Sequence, residues 1–198
     1  MRRVLLYGGT FDPPHNGHMN NLRAAVLAVR PDSVVVMPAG VPPHKAASAT
    51  PAACRLAMCA CFRAVSPAVT VSDWEIRRRG KSFTVDTLEM LSRANPGAHL
   101  YLAVGSDMLL SFTAWHRWRD ILRLATLVVQ SREDGDGAAL RTAAKALRTQ
   151  GGHIVFARAH AYPCASRAIR AGQYTQDELP PPVPELIRQY NLYNFKIK

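Results

Sequence analysis

The stretch Gly8-Gly9-Thr10-Phe11-Asp12-Pro13-Pro14-His15-Asn16-Gly17-His18 constrains this chain more than any other. It joins a short apolar run, Val4-Leu5-Leu6-Tyr7, to a segment with amphipathic helical spacing. A buried strand that ends in a glycine turn and runs into a helix start holds a phosphate on backbone N–H groups. Gly8 and Gly9 lack a Cβ, so the backbone turns sharply off the strand and a ligand comes close. Pro13 and Pro14 stiffen the loop and bar a helix before His15. Asn16 is the expected N-cap, and Gly17 leaves the first N–H groups approachable. His15 and His18 are neighbours across one helical turn, and histidine as a residue type brings movable positive charge there.

Plainer readings stand beside phosphate binding. Gly-Gly-Thr also suits an ordinary strand exit, with the two histidines as helix caps. A His-x-x-His pair also suits half of a metal site, but no carboxylate or cysteine cluster completes it at a familiar spacing, so no metal ligand set is expected. Walker and Gly-x-Gly-x-x-Gly spacings do not occur.

Apolar runs alternate with helical patterns along the rest of the chain. Strands are expected at Val4–Gly8, Ser33–Pro38, Ala68–Ser72, His99–Val104, Leu127–Gln130 and His153–Phe156. Helices are expected at Gly17–Val29, Ala52–Ala64, Thr84–Arg93, Trp115–Leu124, Gly137–Thr149, Ser166–Ala171 and Val183–Tyr190. This alternation predicts an α/β fold, a doubly wound parallel sheet, with ligands beyond the strand carboxyl ends where the glycine loop lies. The 198 residues suit a single domain, 1–198, with 166–198 as a small C-terminal helical part.

Composition narrows the partners. No apolar run is long enough to span a membrane, and the run after Met1-Arg2-Arg3 is too short for a signal-peptide core, so a cytoplasmic protein is expected. Cys54, Cys59, Cys61 and Cys164 form no Cys-x-x-Cys pair and read as free, mostly buried thiols. The net charge of +11 makes nucleic acid the first suspect. However, Arg77-Arg78-Arg79 is the one tight basic run, and no basic segment is interleaved with aromatics. A positive surface serves phosphorylated substrates equally well, so no nucleic acid is expected.

Further elements make the pattern specific. Val41-Pro42-Pro43-His44-Lys45 follows the second strand, Ser82-Phe83-Thr84-Val85-Asp86-Thr87-Leu88 opens a later helix, and Gly105-Ser106-Asp107-Met108-Leu109-Leu110 precedes Trp115-His116-Arg117-Trp118. With the His-x-Gly-His loop, and in this order, they resemble the bacterial nicotinate-nucleotide adenylyltransferases of the nucleotidyltransferase superfamily. The similarity runs from Val4 to about Tyr193 and is weakest between Glu133 and Ala161.

That resemblance implies a Rossmann-like nucleotidyltransferase fold and adenylyl transfer from ATP to nicotinate mononucleotide, giving deamido-NAD and pyrophosphate. It implies catalytic roles for His15, His18, Lys45 and Arg170. ATP and its phosphates are expected on Gly8, Gly9, Thr10, Phe11, Gly105, Asp107, Ser166, Arg167 and Ile169. The mononucleotide is expected on Thr84, Trp115 and Arg132, with Trp118 left to the core. Mg²⁺ is expected to ride on ATP, since no carboxylate cage is visible. The family pattern Ile-Ser-Ser-Thr-x-Ile-Arg reads Cys164-Ala165-Ser166-Arg167-Ala168-Ile169-Arg170 here, so Arg167 is expected to replace lost hydroxyl donors. Nicotinamide mononucleotide or phosphopantetheine as acceptor stays open, as does homo-oligomerisation. A non-catalytic basic nucleic-acid-binding protein is the distant alternative, and the intact His-x-Gly-His loop speaks against it.

Overall fold

A computed structural model describes residues 1–42, 48–130, 137–158 and 162–193. Six parallel strands form its sheet: β1 (Arg3–Gly9), β2 (Ser33–Pro38), β3 (Val69–Val71), β4 (His99–Gly105), β5 (Ala125–Gln130) and β6 (Ile154–Ala157). Their order is β3-β2-β1-β4-β5-β6. The direction of winding reverses between β1 and β4, which opens a crevice at their carboxyl ends.

Continuous apolar runs become strands here because both faces of the sheet are covered. Alternate residues feed separate cores. Leu5 and Tyr7 of β1 join Leu22 of α1 (Asn16–Val29) and Phe62, which lies in the 3₁₀ turn after α2 (Ala52–Met58). Val4 and Leu6 point the other way. They pack with Leu88 of α4 (Thr84–Ala94), Ile121 of α6 (Trp118–Leu124) and Leu140 of α7 (Gly137–Arg148). Ile169 of α8 (Ser166–Arg170) and Val183 and Ile187 of α9 (Val183–Gln189) are buried in the first core. The C-terminal helices thus share the core beneath the glycine loop.

Three local readings need correction. Two short helices, α3 (Trp74–Arg77) and α5 (Ser106–Leu110), carry too little sequence for a period to show. The helix expected from Trp115 starts at Trp118, because Arg117 is left-handed at φ 52° and ψ 40°. Its guanidinium holds that turn through Glu89 and Asp120, each at 2.8 Å. The N-cap of α1 is His15, not Asn16, whose amide reaches across to the Asp177 carbonyl.

The four cysteines are free thiols, three of them buried. Among the described residues no helix is long and apolar enough to cross a membrane.

Candidate active site

The crevice is a cavity of about 1020 Å³, at the upper end of the usual size of small-molecule sites. One wall is the loop between β1 and α1. Gly8 has open space where a Cβ would stand, which leaves room for a ligand against the backbone. Gly9 is glycine for another reason: a Cβ there would lie 2.8 Å from the Phe11 ring, which folds back over it.

The two histidines cap each other's backbone. His18 N–H donates to His15 Nδ1, and His15 N–H donates to His18 Nδ1, both at 3.3 Å. This is a capping box built from imidazoles. A ring nitrogen that accepts carries no proton, so each ring in this arrangement holds its proton on Nε2. The rings stack at 3.7 Å between centroids, which disfavours two imidazolium charges at once. The pair thus leaves Nε2, not Nδ1, as the ring nitrogen of each histidine that can donate, and the stack opposes the doubled positive charge that the residue types suggest. Gly17 makes the stack possible, because a Cβ there would stand 2.9 Å from His15 Nδ1. Cap and ligand-facing roles, separate readings of the sequence, are thus one arrangement.

Asp12 ties this loop to the far end of the chain. Its carboxylate accepts from Tyr193 Oη at 2.6 Å and from Ser48 Oγ at 2.7 Å. Burial pushes the Asp12 pKa up, but hydrogen bonds from Thr50, Tyr193 and Ser48 and the charge of Arg170 outweigh it and hold the pKa low. Arg170 also donates to the Asp12 carbonyl at 2.5 Å. Asp12, Ser48, Thr50 and Tyr193 were absent from the expected site, since their partners lie 36 to 181 residues away.

The C-terminal phosphate element is only partly as expected. Ser166, Arg167 and Arg170 line the cavity. The Ser166 hydroxyl, however, donates to the Pro13 carbonyl at 2.9 Å, so it fastens α8 to the glycine loop instead of offering its proton to a ligand. Ile169 is not at the cavity: it is 1% exposed, and its N–H bonds the Ala165 carbonyl. Arg167 is exposed at the cavity mouth on the first turn of α8.

The other end of the cavity is aromatic. Trp115 lines it, half-buried, with the Phe83 and His116 rings tilted against each other at 4.4 Å between centroids. Thr84 opens α4, and its N–H has no acceptor among the described residues. Gly105, the last residue of β4, and Asp107 of α5 complete the wall. Trp118 packs on the second core and under Arg119. Lys45 and Arg132 lie outside the described residues.

The model of the cytidylyltransferase-like family matches residues 6–172. A "Probable nicotinate-nucleotide adenylyltransferase" of Neisseria meningitidis serogroup B is 35% identical over 98% of this chain and 99% of its own length. The chain belongs to the nicotinate-nucleotide adenylyltransferase family. A relative of the same printed name from Laribacter hongkongensis is 44% identical over 71% of this chain and 64% of its own. The Plasmodium falciparum nicotinic acid mononucleotide adenylyltransferase complexed with NaAD shares the fold. Its TM-score is 0.73 at 16% identity, with both chains fully covered.

Within this nicotinate-nucleotide adenylyltransferase family member, two further groups border the cavity. Cys164 has its pKa pushed up to about 11 by burial and by the charge of Glu178, so it stays a thiol and does not compete as a nucleophile. Glu75 is 8% exposed and accepts from the Thr87 hydroxyl at 2.6 Å. Burial raises its pKa, and hydrogen bonds from Thr87 and Ser82 with the charge of Arg78 only partly oppose this.

Both features are testable. Gly17→Ala should lower kcat by about 10²-fold, the scale of one lost transition-state donor. Its melting temperature should hold, because an alanine in a helix offsets the weakened cap. Steady-state kinetics beside thermal melts decide this; unchanged kcat would show that His15 need not stack. For Glu75 the sign follows from a raised folded-state pKa: stability falls as pH climbs from the unfolded value toward the folded one. The melting-temperature gain of Glu75→Gln over the wild type should therefore be larger at pH 8 than at pH 4.5. An equal gain at both would contradict a perturbed Glu75.

Proposed function

We propose that the cavity joins ATP and nicotinate mononucleotide and transfers the adenylyl group to the mononucleotide 5′-phosphate, giving deamido-NAD and pyrophosphate. One observation carries this reading. The histidine-capped glycine loop and the aromatic Thr84–Trp115 end open into the same cavity, so phosphate chemistry and a flat ring are served side by side. The cavity has room for two nucleotides in line.

The chemistry needs no protein nucleophile. The acceptor phosphate oxygen attacks the α-phosphorus of ATP, that bond forms, the bond to the bridging oxygen breaks, and pyrophosphate departs. Rate comes from positioning and from donors placed where charge develops. His15 and His18 offer Nε2–H, the glycine loop offers backbone N–H, and Arg170, anchored at Asp12, supplies fixed positive charge. Arg167 at the mouth and Lys45 are assigned to the departing pyrophosphate.

Mg²⁺ is assigned to the phosphates themselves. Asp12, the carboxylate on the glycine loop, is already engaged by the hydroxyls of Ser48 and Tyr193 among others, and no group of three or more ligands occurs among the described residues. The cation would shield phosphate charge while the phosphates and water hold it.

At the aromatic end, Trp115 and Phe83 suit a pyridine ring. The unpartnered Thr84 N–H at a helix start favours a carboxylate over a carboxamide.

Two measurements check the assignment. Pyrophosphate release from ATP should be at least ~10²-fold higher in kcat/KM with nicotinate mononucleotide than with the amide, because an amide leaves a donor without its anion. It should be negligible with phosphopantetheine; equal rates with acid and amide would refute the acceptor assignment. Arg167→Ala should weaken ATP binding by about 1.5 kcal/mol, roughly tenfold. Indistinguishable dissociation constants would return Arg167 to the solvent.

A further inference from the structure

We propose that Arg55, a residue that does not line the cavity, is the positioning residue that aims the Phe11 N–H at the substrate phosphates. Arg55 lies on α2, is 2% exposed, and is among the largest fully buried side chains of the protein. Its guanidinium donates to the Thr10 carbonyl at 2.8 Å and reaches the Gly40 carbonyl at 3.5 Å. These two carbonyls belong to the loops that leave β1 and β2 at the crevice. Arg55 therefore grips both loops from behind.

The grip has a directional consequence. A trans peptide sets its N–H antiparallel to its C=O. The Thr10 carbonyl faces Arg55, so the Phe11 N–H of the same peptide faces away from it. That N–H has no acceptor among the described residues, and Thr10 and Phe11 both line the cavity.

Phe11 has reason to need such a hold. Its φ is +50°, in the left-handed region that a non-glycine residue occupies only at a cost. Its ring is locked by Phe62 at 4.9 Å, His18 at 5.3 Å and Tyr7 at 5.4 Å between centroids. The ring fixes one side of the residue and Arg55 fixes the peptide on the other.

A buried arginine is costly and needs partners. Burial pulls the Arg55 pKa down, while the nearby Asp12 carboxylate favours its charged form. Its Nε has no partner among the described residues. A residue kept only to fill volume would not carry a charge there. A charge that polarises the Thr10 carbonyl also makes the attached Phe11 N–H a better donor to an anion, because hydrogen bonds through one peptide reinforce each other.

The inference rests on the adenylyltransferase reading only in taking the glycine loop as a phosphate site. Pyrophosphate alone therefore probes it, with no mononucleotide present. In ¹⁵N-labelled wild type, added pyrophosphate should move the Phe11 amide proton downfield. The Arg55 guanidinium N–H signal should shift with the same midpoint. In Arg55→Met the Phe11 response should vanish and the pyrophosphate dissociation constant should rise about tenfold, the loss of a bond to a charged group. Arg55→Lys, which keeps the charge but not the fork, should recover part of both.

A silent Phe11 amide, or an Arg55 signal indifferent to pyrophosphate in the wild type, would overturn the inference even if neither variant folds. So would a folded Arg55→Met with the wild-type Phe11 response. Failure of pyrophosphate to bind at all would overturn the phosphate site itself, and with it the proposed function. Binding with a silent Phe11 would remove only the part given to Arg55.

Discussion

The turn after β1 runs against the preference of its own backbone, and the site depends on what holds it there. Phe11 sits at φ +50°, a conformation that an ordinary side chain leaves unless its surroundings insist. They insist from every side. The Phe11 ring is packed among Tyr7, Phe62 and His18, and Arg55 holds the Thr10 carbonyl. Next along the chain, Asp12 is bound by Tyr193, Ser48 and Arg170. These contacts come from α2, the loop before it, α8 and the C-terminal turn. A loop of six residues thus draws together most of one face of the fold. Rigidity of this kind suits a reaction whose acceleration comes from placement, since donors already aimed need no reorganisation when charge moves.

The electrostatics of the cavity follow the same economy. The two histidines present protonated Nε2 edges because each Nδ1 is occupied by a backbone N–H. Permanent charge is left to the arginines, whose fork geometry fits phosphate oxygens. The carboxylates differ: Asp12 is held ionised by hydroxyl donors and by Arg170, while burial favours the protonated form of Glu75. The net charge of +11 acts at longer range and favours the approach of anionic substrates.

Much of this was legible in the residues. The six expected strands are the observed ones, with ends within three residues, because apolar runs between helical patterns have few other ways to be buried. The glycine loop and the Thr84 helix start were readable locally, and the resemblance placed Trp115, Gly105 and Asp107, which do line the cavity. The errors share a cause. Asn16 looked like the cap because a histidine cap depends on a second ring folding back. Ile169 looked like a phosphate ligand because a motif carries no information about which of its members face the cavity, and the bond from the Ser166 hydroxyl to Pro13 is equally invisible in it. Trp115 looked helical because the Arg117 turn is held by Glu89, which is distant in the chain.

The sequence by itself determined the fold class and the family, because each is written in residues close together along the chain. In the sequence Gly17 reads as leaving N–H groups approachable; that a Cβ there would meet the His15 ring is visible only in the fold. The tertiary structure alone decided what stands behind the site. Arg55, Tyr193, Ser48 and Glu75 carry no motif, and the partners of Arg55, Tyr193 and Ser48 lie tens to nearly two hundred residues away. Periodicity and motifs report on neighbours in the chain. Support for a strained loop comes from whichever side chains the packing brings beneath it, and only the folded sheet says which those are.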